Sequence, residues 1–145
     1  MMKRDLLLAH LAGTWMMVGV IWFVQLVHYP LFDRVERAGF RAFAIAHQEQ
    51  TFWVVFPPML IELITGIALL WWRPRDIPLS LIIAGALLIG VNALSTALMQ
   101  IPLHEQLGSR GYDVDAHRQL VAGNWVRTIA WSLRGFLVLF MLRKC

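Results

Sequence analysis

Four apolar windows, Leu6 to Phe32, Phe52 to Trp72, Ile77 to Leu103 and Leu120 to Leu142, take up most of this 145-residue chain. Each matches or exceeds the ~20 residues that cross a hydrocarbon core as an α-helix. The remaining residues are too few to cover that much apolar surface, so a lipid bilayer has to act as the second solvent. Hydrophobic residues make up 59% of the chain and charged ones only 15%, outside the soluble range on both counts. Residues 1–145 therefore read as a single transmembrane domain. The fold class is all-α: an antiparallel up-down bundle of four transmembrane helices, over about 6–32, 52–72, 77–103 and 120–142.

Between the first two windows, "DRVERAGFRAFAIAHQEQ" carries too many charges to span. Val35, Phe40, Phe43 and Ala46 alternate imperfectly with Arg34, Arg37 and Arg41. This pattern predicts a short interfacial helix over about 34–49. Pro57 and Pro58, near the start of the second helix, predict a kink there because proline removes backbone donors. The opening "MMKRDLLLAHLAGTWMMVGV" has a basic start, but its apolar run is too long for a secretory signal, so it reads as a retained first helix. Cys145 is the only cysteine, which excludes an intrachain disulfide.

The net charge of +4 is spread in ones and twos near helix ends. That is the placement of membrane anchors, and no nucleic-acid partner is expected from it. Lys3, Arg4, Arg73, Arg75, Arg143 and Lys144 fall on one side of the bilayer, and Arg34, Arg37, Arg41, Arg110 and Arg118 on the other. The first set lies closer to the helix ends, which favours cytoplasmic termini in a bacterial inner membrane. His28, His47, His104 and His117 then face outward and His10 inward.

On helical wheels the polar residues align. His10, Thr14, Gln25 and His28 fall within about 60° of arc and Pro58, Glu62, Thr65 and Gly66 within about 100°. The third helix contributes Gly85, Asn92, Ser95 and Thr96, and the fourth Asn124, Arg127, Thr128, Trp131 and Arg134. Lipid offers these groups no hydrogen bonds, so the stripes are expected to face one another. Glu62 lies ~15 Å into the second helix, bracketed in depth by Arg127 and Arg134. A pair with either arginine would fix helix register or form a proton or anion site; both alternatives stand at this point.

Gln25 and His28 share a membrane level with His47, Gln100, His104, His117 and Asn124. Together with Asn92, Glu62 and Arg127 they are the candidates for an outward-facing pocket, with Glu62 and Arg127 at its floor and the histidines at its mouth. His28, His47, His104 and His117 are the metal candidates, and metal or haem the cofactors their chemistry allows. No HExxH, CxxCH or calcium loop specifies either. Nucleophilic catalysis is not supported, since there is no GxSxG and Cys145 has no partner residue.

The segments "WFVQLVHYPLF", "FPPMLIELITG" and "NWVRTIAWSLR" resemble a family of small, uncharacterised bacterial four-helix membrane proteins. In size and layout the chain is distantly similar to the anthrone-oxygenase-like group. His10 followed by Trp15 is similar to the start of the haem-binding, four-helix protoporphyrinogen-oxidase membrane family. The rest of that pattern has no match here, so no haem ligand is carried onto His10.

The favoured expectation is a membrane protein whose polar interior binds a small molecule or a metal, with redox chemistry as one use. The rivals are a dimeric proton-coupled transporter, with Glu62 as coupling carboxylate, and a non-catalytic subunit of a larger membrane complex. The expected partners are the lipid bilayer and a second copy or a larger complex.

Overall fold

The computed structural model of the chain describes residues 2–145. Helix α1 (Met2–Phe23) runs into a π-helical turn, Val24–His28, and a 3-10 turn, Pro30–Arg34. Helix α2 (Phe40–Trp72) follows, then α3 (Leu79–Ser95), a second π-turn at Thr96–Gln100, α4 (Ile101–Arg110) and α5 (Val114–Leu142). No strand occurs among the described residues. Four continuous helical stretches, Lys3–Arg34, Phe40–Trp72, Leu79–Arg110 and Val114–Leu142, are long and apolar enough to cross a membrane.

The windows expected from the sequence lie within or largely within these stretches, but the helices run further. α2 begins twelve residues before Phe52, and the third stretch continues to Arg110. Hydropathy marks the part of a helix that needs lipid, whereas helical backbone continues into water wherever polar residues tolerate it. The separate interfacial helix expected over 34–49 is not found. Residues 35–39 form a turn, and Phe40 onward are the first turns of α2. Phe40 and Ala44 point into the bundle core, which holds this stretch in line with the rest of α2.

Each π-turn is followed, one residue later, by a proline: His28-Tyr29-Pro30 and Gln100-Ile101-Pro102. A proline ring clashes with the carbonyl four residues back and supplies it no hydrogen. Here those carbonyls belong to Leu26 and Leu98, inside the widened turns, where π-spacing moves them aside. α2 by contrast remains helical through Pro57 and Pro58.

α1 packs against α2 and α5, and α5 against α3. On α1 and α2, His10 meets Thr65, Thr14 meets Glu62 and His28 meets His47, so numbering rises along one helix as it falls along the other. Apolar layers close both ends. Leu7, Leu69, Ile77, Ile82, Val138 and Met141 pack near the termini. Tyr29, Phe32, Phe40, Leu107 and Leu120 pack at the far end. The short α4–α5 joint needs one left-handed residue, supplied by Gly111 at φ 91°, and Asp113 then caps α5 by accepting from the Ala116 amide at 2.7 Å.

Candidate functional site

Two polar regions lie between the apolar layers, and they differ in how fully their hydrogen bonds are met. In the one nearer the chain termini, Glu62 Oε1 accepts from Thr14 Oγ1 at 2.8 Å and Arg134 Nε at 2.9 Å, while Oε2 accepts from Trp131 Nε1 at 3.0 Å. Arg134 also donates to the Gly85 carbonyl and to His10 Nε2. His10 Nδ1 donates to Thr65 Oγ1 at 2.7 Å, since the threonine hydroxyl is committed to the Ile61 carbonyl at 2.6 Å. Both His10 nitrogens are therefore occupied. A Cβ at Gly66 would sit 2.9 Å from Ile89 Cδ1 and 3.3 Å from His10 Cε1, so this glycine makes room for the isoleucine and the imidazole together.

This cluster resolves the choice of partner for Glu62 in favour of Arg134, and it corrects the expected floor of Glu62 with Arg127. Arg134 sits two turns further along α5 than Arg127; α2 and α5 both run antiparallel to α1 and so parallel to each other, and this register brings Arg134 level with Glu62. The cluster is satisfied and enclosed: carboxylate, guanidinium, indole and imidazole hold α1, α2, α3 and α5 together.

The second region, toward the His47 end, is open. A cavity of about 350 Å³ lies between α1, α2 and the second π-turn. Its apolar wall comes from Met17, Ile21, Val55, Phe56 and Met59, and its polar end from Tyr29, His47, Gln100, His104 and Arg127. The lining contains no Asp or Glu. Tyr29 Oη lies 2.8 Å from His104 Nε2, and His47 Nδ1 lies 2.8 Å from His28 Nε2 and 3.0 Å from Thr51 Oγ1. Three lining residues carry buried polar atoms without a protein partner: both amide atoms of Gln100, Nδ1 of His104 and Nε of Arg127. Phe52, Phe56 and Ile101 line the cavity while remaining half exposed on the outside of the bundle, so its mouth faces sideways from the helices.

The remaining candidates lie elsewhere. Gln25 and Asn124 bond to each other at 3.0 Å, and Gln25 also donates to the Val121 carbonyl, which locks the first π-turn onto α5. His28 lines a separate groove of about 440 Å³ with Gln50 and Val54, which adjoins the chamber at Val20, Val24 and Thr51. His117 donates from Nε2 to the Tyr29 carbonyl at 2.7 Å and accepts from Tyr112 at 3.0 Å. Asn92 is buried on α3 without partners for its amide atoms, between the level of Gly85 with Arg134 and that of Gln100 with Gly123.

The four metal candidates thus do not converge as one set. His28, His47 and His104 stand in a row with ring centroids 4.6 and 5.1 Å apart, and His117 serves a backbone carbonyl instead. Among the described residues no group of three or more His, Cys, Asp or Glu side chains is arranged to hold a metal ion.

The chamber residues absent from the sequence expectation include Tyr29 and Thr51 at its polar end and the whole apolar wall, Phe56 and Met59 among it. For Tyr29 the signal was the repeated step from π-turn to proline, legible in "LVHYPLF" and "LMQIPLH", which marks where regular helix gives way; the α2 residues carry no such mark. Searches of protein-family models, curated proteins and solved structures find no match to the chain.

Proposed function

We propose that this chain is a multi-pass protein of a bacterial inner membrane, an antiparallel up-down bundle with cytoplasmic termini, that binds a small amphipathic molecule in its lateral chamber. The apolar part of the ligand lies along Met17, Ile21, Val55 and Met59, and its polar head rests among Tyr29, Gln100, His104 and Arg127. The single observation that carries this reading is the concentration of unpartnered polar atoms, on Gln100, His104 and Arg127, around one cavity with an otherwise apolar wall. Buried polar groups in a membrane protein are ordinarily paired, and apolar pockets with a few convergent polar groups are the common form of small-molecule site.

The opposing sense of the α1–α2 contacts supports the up-down topology. Access runs from the bilayer, past Phe52, Phe56 and Ile101. Glu62, accepting from three donors, serves as architecture in this reading and not as a coupling carboxylate.

The test is photolabelling in lipid nanodiscs with a diazirine-bearing dodecanol, followed by peptide mapping. Labelling is expected on 51–59 and 17–24, in preference to the lipid-facing side of α3 around Leu87 and Leu94, and is expected to be lost when Met59→Trp fills the cavity. Equal labelling of α3, or labelling unaffected by Met59→Trp, would overturn the proposal.

A further inference from the structure

Arg127 stands in an unusual position for a cation. It is 8% exposed, it lies within the fourth stretch long and apolar enough to cross a membrane, and among the described residues no carboxylate pairs with it. The ion pairs among the described residues are Arg34 with Asp33, Arg118 with Asp115, and Arg134 with Glu62. Glu62 is engaged elsewhere, its oxygens accepting from Thr14, Trp131 and Arg134. The aromatic neighbours of Arg127 are Trp131, whose ring centroid is 5.5 Å from the guanidinium carbon, and Tyr29, whose hydroxyl hydrogen-bonds the guanidinium; both are neutral groups and leave its charge unbalanced.

A guanidinium removed from water without a counter-ion is strongly disfavoured. The space beside this one is the chamber, whose lining has no acid of its own. We infer that the ligand supplies the missing charge: it is a lipid-soluble monoanion, a carboxylate on an apolar body, with its head on Arg127 and its tail toward the bilayer. This rests on the chamber being a ligand site, as proposed above.

Further features favour a carboxylate. Guanidinium and carboxylate are planar and pair through two parallel hydrogen bonds, and Arg127 Nε lacks a protein partner. Gln100, 2% exposed with both amide atoms free, offers its N–H to the same head, and His104 Nδ1 is a third unpartnered atom on the chamber lining. The volume of about 350 Å³ is at the lower end for a small-molecule site, which suits one acyl chain or one fused aromatic body and excludes a two-chain phospholipid. The half-exposed Phe52, Phe56 and Ile101 at the mouth leave the tail a path into lipid.

The experiment compares diazirine-bearing laurate, dodecanol and dodecylammonium of equal length on the full chain in nanodiscs, at a pH where the acid is ionised. Laurate is expected to label the chamber peptides at a concentration about tenfold or more below that needed with dodecanol, the least a charge-assisted hydrogen bond contributes. Dodecylammonium is expected to be excluded. Arg127→Gln is expected to abolish the preference and Arg127→Lys to keep part of it. Equal labelling by acid and alcohol in the parent protein would overturn the anion assignment while leaving the chamber intact, and needs no variant to fold. Absence of chamber labelling by all three probes would instead overturn the ligand site itself. A preference for laurate that persists in folded Arg127→Gln would also defeat the inference.

Discussion

Arg134 donates from Nε to Glu62 Oε1 across 2.9 Å, with the two side chains only 1% and 5% exposed. The pair joins α2 to α5 deep in the bundle, and through His10 and the Gly85 carbonyl it also engages α1 and α3. Removing one member strands the other charge away from water. Glu62→Leu is therefore expected to destabilise the protein by ~3–5 kcal/mol. Neutralising Arg134 in the same chain should restore much of that loss, whereas neutralising Arg127 should not. Unfolding in detergent mixtures measures all three, and equal rescue by the two arginine changes would refute the pairing.

Close helix approach gives a second test. A Cβ on Gly13 would stand 3.1 Å from the Pro58 carbonyl oxygen and 3.4 Å from the Glu62 amide, both backbone atoms that cannot swing aside. At Gly90 an added Cβ meets nothing within 4 Å. Gly13→Leu is expected to lose ~1–3 kcal/mol through overpacking, while Gly90→Ala should be neutral or slightly stabilising. If both changes leave thermal stability alike, α1 and α2 do not approach as described.

His104 and His117 divide the work of the histidine-rich end. His117 supports the Tyr29 carbonyl at 2.7 Å, so His117→Ala should cost ~1–2 kcal/mol of stability and leave chamber labelling intact. His104→Ala removes a chamber wall residue, so labelling should weaken even in protein that stays folded. Reversal of these two outcomes would place the site at His117.

Pro102 bears on the shape of the chamber. Pro102→Ala restores a donor for the Leu98 carbonyl and removes the ring that crowds it, so the Thr96–Gln100 segment is expected to relax toward regular α-helix. One residue fewer in the turn swings Gln100 by ~100° away from its present direction. Folded protein with reduced chamber labelling is the expected result; unchanged labelling would show that the proline does not hold the π-turn.

Much of this arrangement is legible from residue type alone. Long apolar runs locate the four crossings because lipid tolerates little else, and the alignment of His10, Thr14, Glu62, Thr65 and Arg134 follows from the same constraint. Legibility ends where geometry departs from 100° per residue. The wheel treats Gln25 and His28 as continuing one face of α1, but the π-turn sends Gln25 against Asn124 and His28 toward His47. The identity of the partner for Glu62 depended on the relative sliding of α2 and α5. That sliding is set through α1, by contacts such as Gly13 on Pro58 of α2 and Gly135 of α5 on Val18, which no single-helix pattern contains.

The crossings are 29 to 33 residues long, which at 1.5 Å per residue is about 44 to 50 Å against a hydrocarbon core of ~30 Å. At the His47 end, Arg41, Glu49, Glu105 and Arg110 mark helix that stands beyond the oil. On the function proposed above, the chamber mouth opens near that boundary, and bilayer thickness would act as its shutter. A thick membrane would submerge Phe52 and Ile101 and keep the mouth among acyl chains, and a thin one would lift the same opening into the headgroup layer.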